Sequence, residues 1–284
     1  MPDEIFEAPF VISRERRDAT VVIRGFVYQV NTTLLKWIAF AILVWVGVTA
    51  SAVLLLRWLN PPTSAFILTA RVQAAANHDA SYHTDYRWVS LERISPHVAL
   101  AVIASEDQLF PFHNGFDLNS IREAVRASER GKRLRGASTI SQQVAKNLFL
   151  WSGHSFFRKG LEAWFTVLIE AMWPKERILE VYLNVIQLGK GLYGVEAASQ
   201  RFFGKPAARL SSSEGALLAA VLPNPIRMRV DRPSRYVLSQ RDRILEQMKD
   251  LGGDSYLRAV ERERRVTPAH TRDWATATSP SPPH

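Results

Sequence analysis

The chain has 284 residues, of which 47% are hydrophobic, and carries a formal net charge of +9. This composition suffices for a sizeable core and excludes a disordered or collagen-like protein. The lack of cysteine excludes disulfides, thiolate metal ligands and a cysteine nucleophile. The positive charge favours an anionic partner, whether nucleic acid, an acidic lipid surface or a phosphorylated ligand, although an ordinary basic protein has the same balance.

The first element in chain order is a membrane span. Residues 37–56, WIAFAILVWVGVTASAVLLL, run for 20 residues without a charge. As a helix they cover about 30 Å, the thickness of the hydrocarbon core, so a span is favoured over a buried core helix or a cleaved signal peptide. The cations of residues 1–36 place this segment in the cytoplasm by the positive-inside rule.

The chain after the span is predicted to be mainly helical. A proline break at 61–62 opens a connector over residues 57–85, and residues 254–284 end in a disordered tail rich in Pro, Ser and Thr. Helical patterns or caps are found in PHVALAVIASEDQLF, in SIREAVRASER with Ser120 and Glu123 as a capping box, in WPKERILEVYLN with Pro174 in the first turn, and in SSSEGALLAAVLP. A small hairpin is expected around GKGLYG.

Two adjacent carboxylates stand beside aromatic residues in ASEDQLFPFHNGFD, residues 104–117. The aromatic setting of Glu106 would raise its pKa and make it a better proton acceptor, although such a Glu-Asp pair often serves as a helix cap or ion-pair partner. His113 has no second His or Cys at ligand spacing, so it is interpreted as a structural, hydrogen-bonding residue rather than a zinc ligand.

A row of polar side chains is predicted in GASTISQQVAKNLFL, residues 136–150. If the whole segment is helical, Ser138, Gln142 and Lys146 lie on one face, and the apolar residues at 140, 144 and 148 face the core. A hydroxyl, an amide and an ammonium near a helix start would suit an anion. A solvated helix face is the alternative.

The next segment, FFRKGLEAWFTVLIE, places two cations one turn before a carboxylate. Arg158 and Lys159 can pair with Glu162, which by itself would be a simple salt bridge. Together, Glu106 and Glu162 form a candidate pair of carboxylates of the kind used in reactions at the anomeric carbon of a sugar.

Five segments resemble, in order, the motifs of glycosyltransferase family 51, the peptidoglycan glycosyltransferases. They are EDQLFPFHNGFD, GASTISQQVAKNLFL, RKGLE, ERILEVYLN…GLYGVEAASQRFFGK and SSSEGALLAAVLPNP, and the resemblance covers residues 86–253. It implies a mainly α, lysozyme-like domain that polymerises lipid II into β-1,4-linked glycan strands, with inversion and release of undecaprenyl pyrophosphate. No cofactor is required, although a divalent cation (Mg or Mn) could sit at the donor pyrophosphate.

The resemblance also implies roles for single residues. Glu106 would take the proton of the acceptor hydroxyl, and Glu162 would lie near the leaving pyrophosphate, directly or through a metal ion. Substrate-binding positions would be Asp107, Phe110, His113, Ser138, Gln142, Gln143, Lys146, His154, Arg158 and Lys159, and supporting positions Asp117, Glu180, Tyr182 and Asn184.

Two positions depart from the family pattern: His154 stands where many members carry an arginine and, as a milder change, Gln187 stands where close relatives often have an acid. A partly charged histidine would make donor binding weaker or pH-dependent. The segment 148–157 is either a flap whose aromatics dip into the membrane interface or part of the core.

The resemblance implies an inner-membrane protein with a periplasmic catalytic domain. Its partners would be lipid II, the growing glycan chain, the membrane and proteins of cell-wall synthesis and division, but no nucleic acid. The alternatives are a lytic enzyme on the same scaffold and a catalytically silent scaffold protein.

Overall fold

The computed structural model describes residues 15–117, 122, 138–153, 155–253 and 255–258, with side chains from residue 32 onward. The chain divides into two compact units, Met1–Ala52 and Val53–His284, which are described separately. The predicted capping box of Ser120 and Glu123, the unusual His154 and the tail from residue 259 lie outside the described residues.

Helix α1, Glu15–Leu56, contains the membrane-span candidate. Its part from Thr32 to Leu56 is 25 residues long and apolar enough to cross a bilayer, and the predicted span 37–56 lies within it. Large apolar side chains of this stretch are exposed, among them Trp37 at 66% and Leu43 at 69%. A soluble helix would bury such side chains against a core, whereas lipid solvates them.

The second unit begins with the last turn of α1, whose open carbonyls are capped by distant side chains. Arg177 donates from Nη2 to the carbonyls of Leu56 at 2.9 Å and Leu59 at 2.7 Å. Trp173 donates from Nε1 to the carbonyl of Val53 at 2.8 Å. A helix end leaves four carbonyls without intrahelical partners, so these bonds anchor the helix end to the rest of the unit.

The second unit is built mainly of helices. In chain order they are α2 Ala65–Ala76, α3 Pro96–Glu106, α4 Ile140–Phe149, α5 Phe156–Met172, α6 Lys175–Val185, α7 Val195–Phe203, α8 Ser212–Val221 and α9 Arg235–Asp250. Short 3₁₀ turns occur at Leu91–Arg93, Phe110–Phe112 and Ala207–Arg209.

A small sheet accompanies the helices. It contains β1 Asp85–Tyr86, β2 Gln187–Gly189 and β3 Leu192–Tyr193 in the order β1-β3-β2. Strand β3 pairs parallel with β1 and antiparallel with β2, which confirms the hairpin expected around GKGLYG.

Helix α3 forms the centre of the core. Seven successive residues from Val98 to Ala104 are buried, because this helix is apolar on every side and is covered by α8 and α9. Gly215 of α8 allows the close contact, since a Cβ there would lie 3.0 Å from the Cα of Val98. Helix α4 packs on α5 and α6, and the polar end of α3 meets the start of α4.

Candidate active site

The candidate catalytic carboxylate, Glu106, is the last residue of α3, where the buried helix reaches a cavity. The cavity has a volume of about 340 Å³. It is lined by Ala104, Ser105, Glu106, Asp107, Gln108, Leu109, Asp117, Ser138, Thr139 and Gln247. A carboxylate at the end of an apolar helix and at the wall of an open cavity is held rigidly and remains accessible to a ligand.

Asp107 connects three parts of the site. One of its oxygens accepts from the backbone N–H of Ile140 at 2.9 Å, at the first turn of α4, and its carboxylate also accepts from Nε2 of His113 at 2.9 Å. His113 accepts at Nδ1 from the N–H of Gly115 at 3.0 Å, so the imidazole proton is on Nε2. Asp107 and His113, predicted to bind substrate, therefore hold the cavity wall together.

The start of α4 is fixed by a capping box. Thr139 accepts from the N–H of Gln142 at 3.2 Å, and the Gln142 side chain accepts from the N–H of Thr139 at 3.0 Å. The Thr139 hydroxyl donates to the carbonyl of Gly115 at 2.7 Å. Gln142 is buried, and its carbonyl oxygen closes the helix end, although the sequence analysis assigned it to substrate.

A short chain of hydrogen bonds ends at Glu106. Gln143 of α4 donates from Nε2 to Oε2 of Glu106 at 2.8 Å, and the Tyr182 hydroxyl of α6 lies 3.1 Å from Oε1 of Gln143. Burial raises the pKa of Glu106, and the Gln143 bond and the nearby Lys146 charge offset part of this rise. A raised pKa suits a carboxylate that must accept a proton near neutral pH.

The second candidate carboxylate, Glu162, lies between two cations of its own helix, α5. Arg158 donates from Nη1 to Oε2 of Glu162 at 3.1 Å, and Lys159 pairs with Oε1. Arg158 and Glu162 are only 7% and 3% exposed. The Nε of Arg158 is buried and has no hydrogen-bond partner among the described residues, which is unusual for a guanidinium.

Lys146 of α4 feels the charges of both carboxylates. Burial lowers its pKa, the charges of Glu162 and Glu106 oppose this effect, and Arg158 and Lys159 add to it. Lys146, Arg158, Lys159 and Glu162 are not among the residues that line the Glu106 cavity. The two candidate carboxylates are therefore linked through their shared electrostatic effect on Lys146.

A second buried network fixes the helices behind the site. Lys175 donates to Glu170 at 2.9 Å, and the hydroxyl of Ser141 donates to the same carboxylate. The Lys175 ammonium also lies 4.8 Å from the ring centre of Phe110. Phe110, predicted to contact substrate, is fully buried and shapes the site from behind.

The supporting positions from α6 lie away from the cavity lining. Asn184 is fully buried and exchanges two hydrogen bonds of 2.9 Å with the backbone of Val89. Glu180 pairs with Arg177 at 2.8 Å. These contacts join α6 to the segment before α3, and to the capped end of α1 through Arg177.

The structure changes one detail of the predicted polar row. Helix α4 begins at Ile140 with Thr139 as its N-cap, so Ser138 precedes the helix and does not continue the row of Gln142 and Lys146. The predicted core stripe at 140, 144 and 148 is buried and is confirmed. Ser138 still lines the cavity, as does Asp117.

Gln247 is a cavity residue that the sequence analysis missed. It comes from α9, 141 positions after Glu106, and no local motif marks it. A larger cavity, of about 580 Å³, lies between the hairpin and residues 225–231 and shares no lining residue with the Glu106 cavity.

The aromatic residues on either side of position 154 are exposed. Phe156 is fully exposed, Phe157 is 71% exposed and Trp151 is 44% exposed. Leu148 and Leu150, from the same predicted flap, are buried. The segment thus divides into core residues and aromatic residues on the surface, and the latter are of the type found at membrane interfaces.

Comparison with known proteins gives a single family. The profile of the transglycosylase family matches residues 73–249. A biosynthetic peptidoglycan transglycosylase of Pectobacterium carotovorum is 51% identical over 80% of this chain and 95% of its own length. Proteins of the same name from Pseudomonas putida and Xanthomonas campestris are 49% and 48% identical, over 83% and 79% of this chain and 99% and 92% of their own lengths.

Proposed function

Because the chain belongs to the transglycosylase family, and is therefore a peptidoglycan glycosyltransferase with the family's lysozyme-like fold, we propose that Glu106 is the base of its polymerisation reaction. The substrates of this activity are lipid II and the growing glycan chain. The observation that supports the assignment is the position of Glu106 at the cavity wall, with its carboxylate held by Gln143 and its pKa raised by burial.

The acceptor is lipid II, and its GlcNAc 4-hydroxyl lies next to Glu106 in this proposal. Glu106 accepts the hydroxyl proton as the oxygen attacks the anomeric carbon of the donor's terminal MurNAc. The bond from this carbon to the pyrophosphate oxygen breaks, and undecaprenyl pyrophosphate leaves with the bonding electrons. Attack from the face opposite the leaving group gives a β-1,4 link with inverted configuration.

The cations around Glu162 bind the donor pyrophosphate in this proposal. Lys146, Arg158 and Lys159 supply three positive charges against one carboxylate, and the buried Nε of Arg158 has no hydrogen-bond partner in the part of the chain that the structure describes. A buried unpaired N–H group is costly, so a pyrophosphate oxygen that accepted from it would be bound favourably. The same charges stabilise the negative charge that develops on the leaving group.

The described residues fit a protein-held metal ion poorly. Both oxygens of Glu162 already face cations, and no group of three His, Cys, Asp or Glu side chains is found among the described residues. A divalent cation prefers several oxygen ligands in one place. No step is therefore assigned to a metal ion, and the role of Glu162 in this proposal is to orient Arg158 and Lys159.

The membrane helix explains how the enzyme meets a lipid-linked substrate. We place residues 37–56, which lie within the apolar stretch Thr32–Leu56, in the inner membrane, with residues 1–36 cytoplasmic and the catalytic unit periplasmic. The exposed Trp151, Phe156 and Phe157 of the catalytic unit are of the kind that insert into a lipid interface, where a polyprenyl chain is embedded.

The experiment that tests this proposal supplies the purified protein in detergent with lipid II and, separately, with preformed glycan strands. The proposal predicts that lipid II is polymerised into β-linked glycan strands, with one polyprenyl pyrophosphate released for each glycosidic bond formed. Shortening of preformed strands without any use of lipid II would instead show the lytic alternative, which needs no pyrophosphate-binding cations.

A further inference from the structure

The hydrogen-bond chain behind Glu106 joins three helices. Tyr182 is on α6, Gln143 on α4 and Glu106 at the end of α3. The two bonds, at 3.1 Å and 2.8 Å, run from the phenol to the amide and from the amide to the carboxylate. None of the three residues is a sequence neighbour of another, so these two hydrogen bonds form only in the folded protein.

The direction of each bond follows from the chemistry of the groups. An amide oxygen can only accept, so the Tyr182 hydroxyl donates to Oε1 of Gln143, and this leaves the NH₂ group facing Glu106. Complete burial raises the pKa of Tyr182, and the negative charges of Glu106 and Asp107 raise it further. The phenol therefore keeps its proton throughout the neutral range.

The opposite orientation of the Gln143 amide would favour the protonated form of Glu106, which cannot act as the base. With Oε1 turned towards Glu106, the amide would repel the carboxylate and bind the protonated acid instead. This orientation would also leave the Tyr182 proton without its acceptor in a fully buried position. The phenol thus favours the amide orientation that stabilises ionised Glu106.

We propose that Tyr182 is a positioning residue for catalysis, whose hydroxyl fixes the Gln143 amide so that its NH₂ group holds the Glu106 carboxylate towards the acceptor. The proposal rests on the assignment of Glu106 as the base. It gives Gln143 a role in orienting the base in place of the substrate contact that the sequence predicts, and Tyr182 a role beyond support of the fold.

Other groups near Glu106 act on its charge independently of this chain. Lys146 of α4 stabilises the carboxylate, and Asp107, the next residue, destabilises it. Asp117 lines the same cavity, and the cavity residue contributed by α9 is the uncharged Gln247. Since a Tyr182 variant leaves all of these in place, a change in the titration of the base reports on the hydrogen-bond chain.

The test compares Tyr182→Phe with Tyr193→Phe in the full-length protein, using pH profiles of kcat with lipid II. Tyr193 is a matched control because it too is fully buried, and among the described residues its hydroxyl bonds to another phenol, that of Tyr82, at 3.2 Å. Loss of one hydrogen bond predicts that the acid limb of Tyr182→Phe moves upward by about 0.5 to 1 pH unit. The KM and the activity at high pH should stay within about twofold of wild type.

Gln143→Leu is a second variant, and it removes both hydrogen bonds of the Tyr182–Gln143–Glu106 chain. The acid limb should move upward in this variant as well, and adding Tyr182→Phe to it should produce no further shift, because the phenol acts only through the amide. If Tyr182→Phe fails to fold, Gln143→Leu still tests the bond between the amide and Glu106, through which the proposed role of Tyr182 must act.

An acid limb unchanged in Gln143→Leu, or a uniform loss of kcat in Tyr182→Phe that Tyr193→Phe reproduces, would overturn the positioning role. Glu106→Gln shows whether the positioning role of Tyr182 fails alone or the assignment of Glu106 as the base fails as well. If Glu106→Gln retains activity, the base assignment itself is wrong. If it is inactive and the acid limb of the other variants does not move, only the positioning proposal fails.

Discussion

Gly115 provides the sharpest test of how the cavity wall is built. Its backbone has φ of +87°, and an added Cβ would lie 2.7 Å from Cγ2 of Thr166 and 2.9 Å from Cγ of Glu170. A left-handed conformation costs an alanine about 1–2 kcal/mol, and overpacking costs about 1–3 kcal/mol more. Gly115→Ala should therefore lower the free energy of unfolding by about 2–5 kcal/mol.

The two contributions can be separated with matched glycines. Gly204 ends α7 with φ of +63° and has open space around its Cα, and Gly160, in α5, also has open space. Gly204→Ala should show only the backbone cost, and Gly160→Ala should stabilise by about 0.5–1 kcal/mol.

The assay is thermal unfolding in detergent, where 1 kcal/mol corresponds to about 2–4 °C for a domain of this size. Gly115→Ala should thus lose roughly 4–20 °C, clearly more than Gly204→Ala. Lipid II polymerisation by Gly115→Ala should fall as well, because Gly115 binds both His113 and Thr139. Equal losses for Gly115→Ala and Gly204→Ala would refute the argument that close packing of this loop fixes the site.

Three further predictions concern the chemistry of the site. The pH profile of kcat/KM should be bell-shaped. Its acid limb should lie above the usual pKa of Glu, because Glu106 must be deprotonated to act and burial raises its pKa. Its alkaline limb should lie below the usual pKa of Lys, because Lys146 must be charged to bind pyrophosphate and burial lowers its pKa; a Lys146→Met variant with the same alkaline limb would contradict this assignment. Glu162→Gln should lower kcat/KM at least about tenfold while the protein stays folded, since the two cations lose their orienting carboxylate, and unchanged polymerisation kinetics would argue against this role. Gln247→Ala should raise the KM for lipid II about three- to tenfold, because it removes a polar group from the cavity in which the proposal places the acceptor sugar, whereas Gln240→Ala, two turns earlier on the same helix, should not.

Local patterns in the sequence predicted much of the fold. The apolar run in α1, the core stripe of α4 and the serine caps of α8 are all short-range features, and each is present in the structure. The contact between Arg158 and Glu162 also follows from helical spacing alone, because residues four positions apart lie on one face.

The helix start at Thr139 could have been found from the sequence. Ser138 and Thr139 both carry a hydroxyl, but only Thr139 has a glutamine three positions later that can close a capping box. Three positions after Ser138 stands Ser141, which instead donates to Glu170. Applying the capping rule to both residues would have placed the boundary correctly.

The tertiary contacts of the site could not have been found in this way. Tyr182 lies in the segment WPKERILEVYLN, which the sequence predicts to be helical, but the partner of its hydroxyl is set by how α6 packs on α4. Gln247 reaches the cavity only because α9 covers α3. Such contacts depend on helix packing, which the periodicity of a single helix does not determine.

The most direct test of the central claim is lipid II polymerisation in detergent by the wild-type protein and by Glu106→Gln. The glutamine keeps the size of the side chain but cannot accept the hydroxyl proton as a carboxylate does. We predict glycan strands from the wild type and none from a folded Glu106→Gln. Strands of similar yield from both proteins would show that Glu106 is not the base.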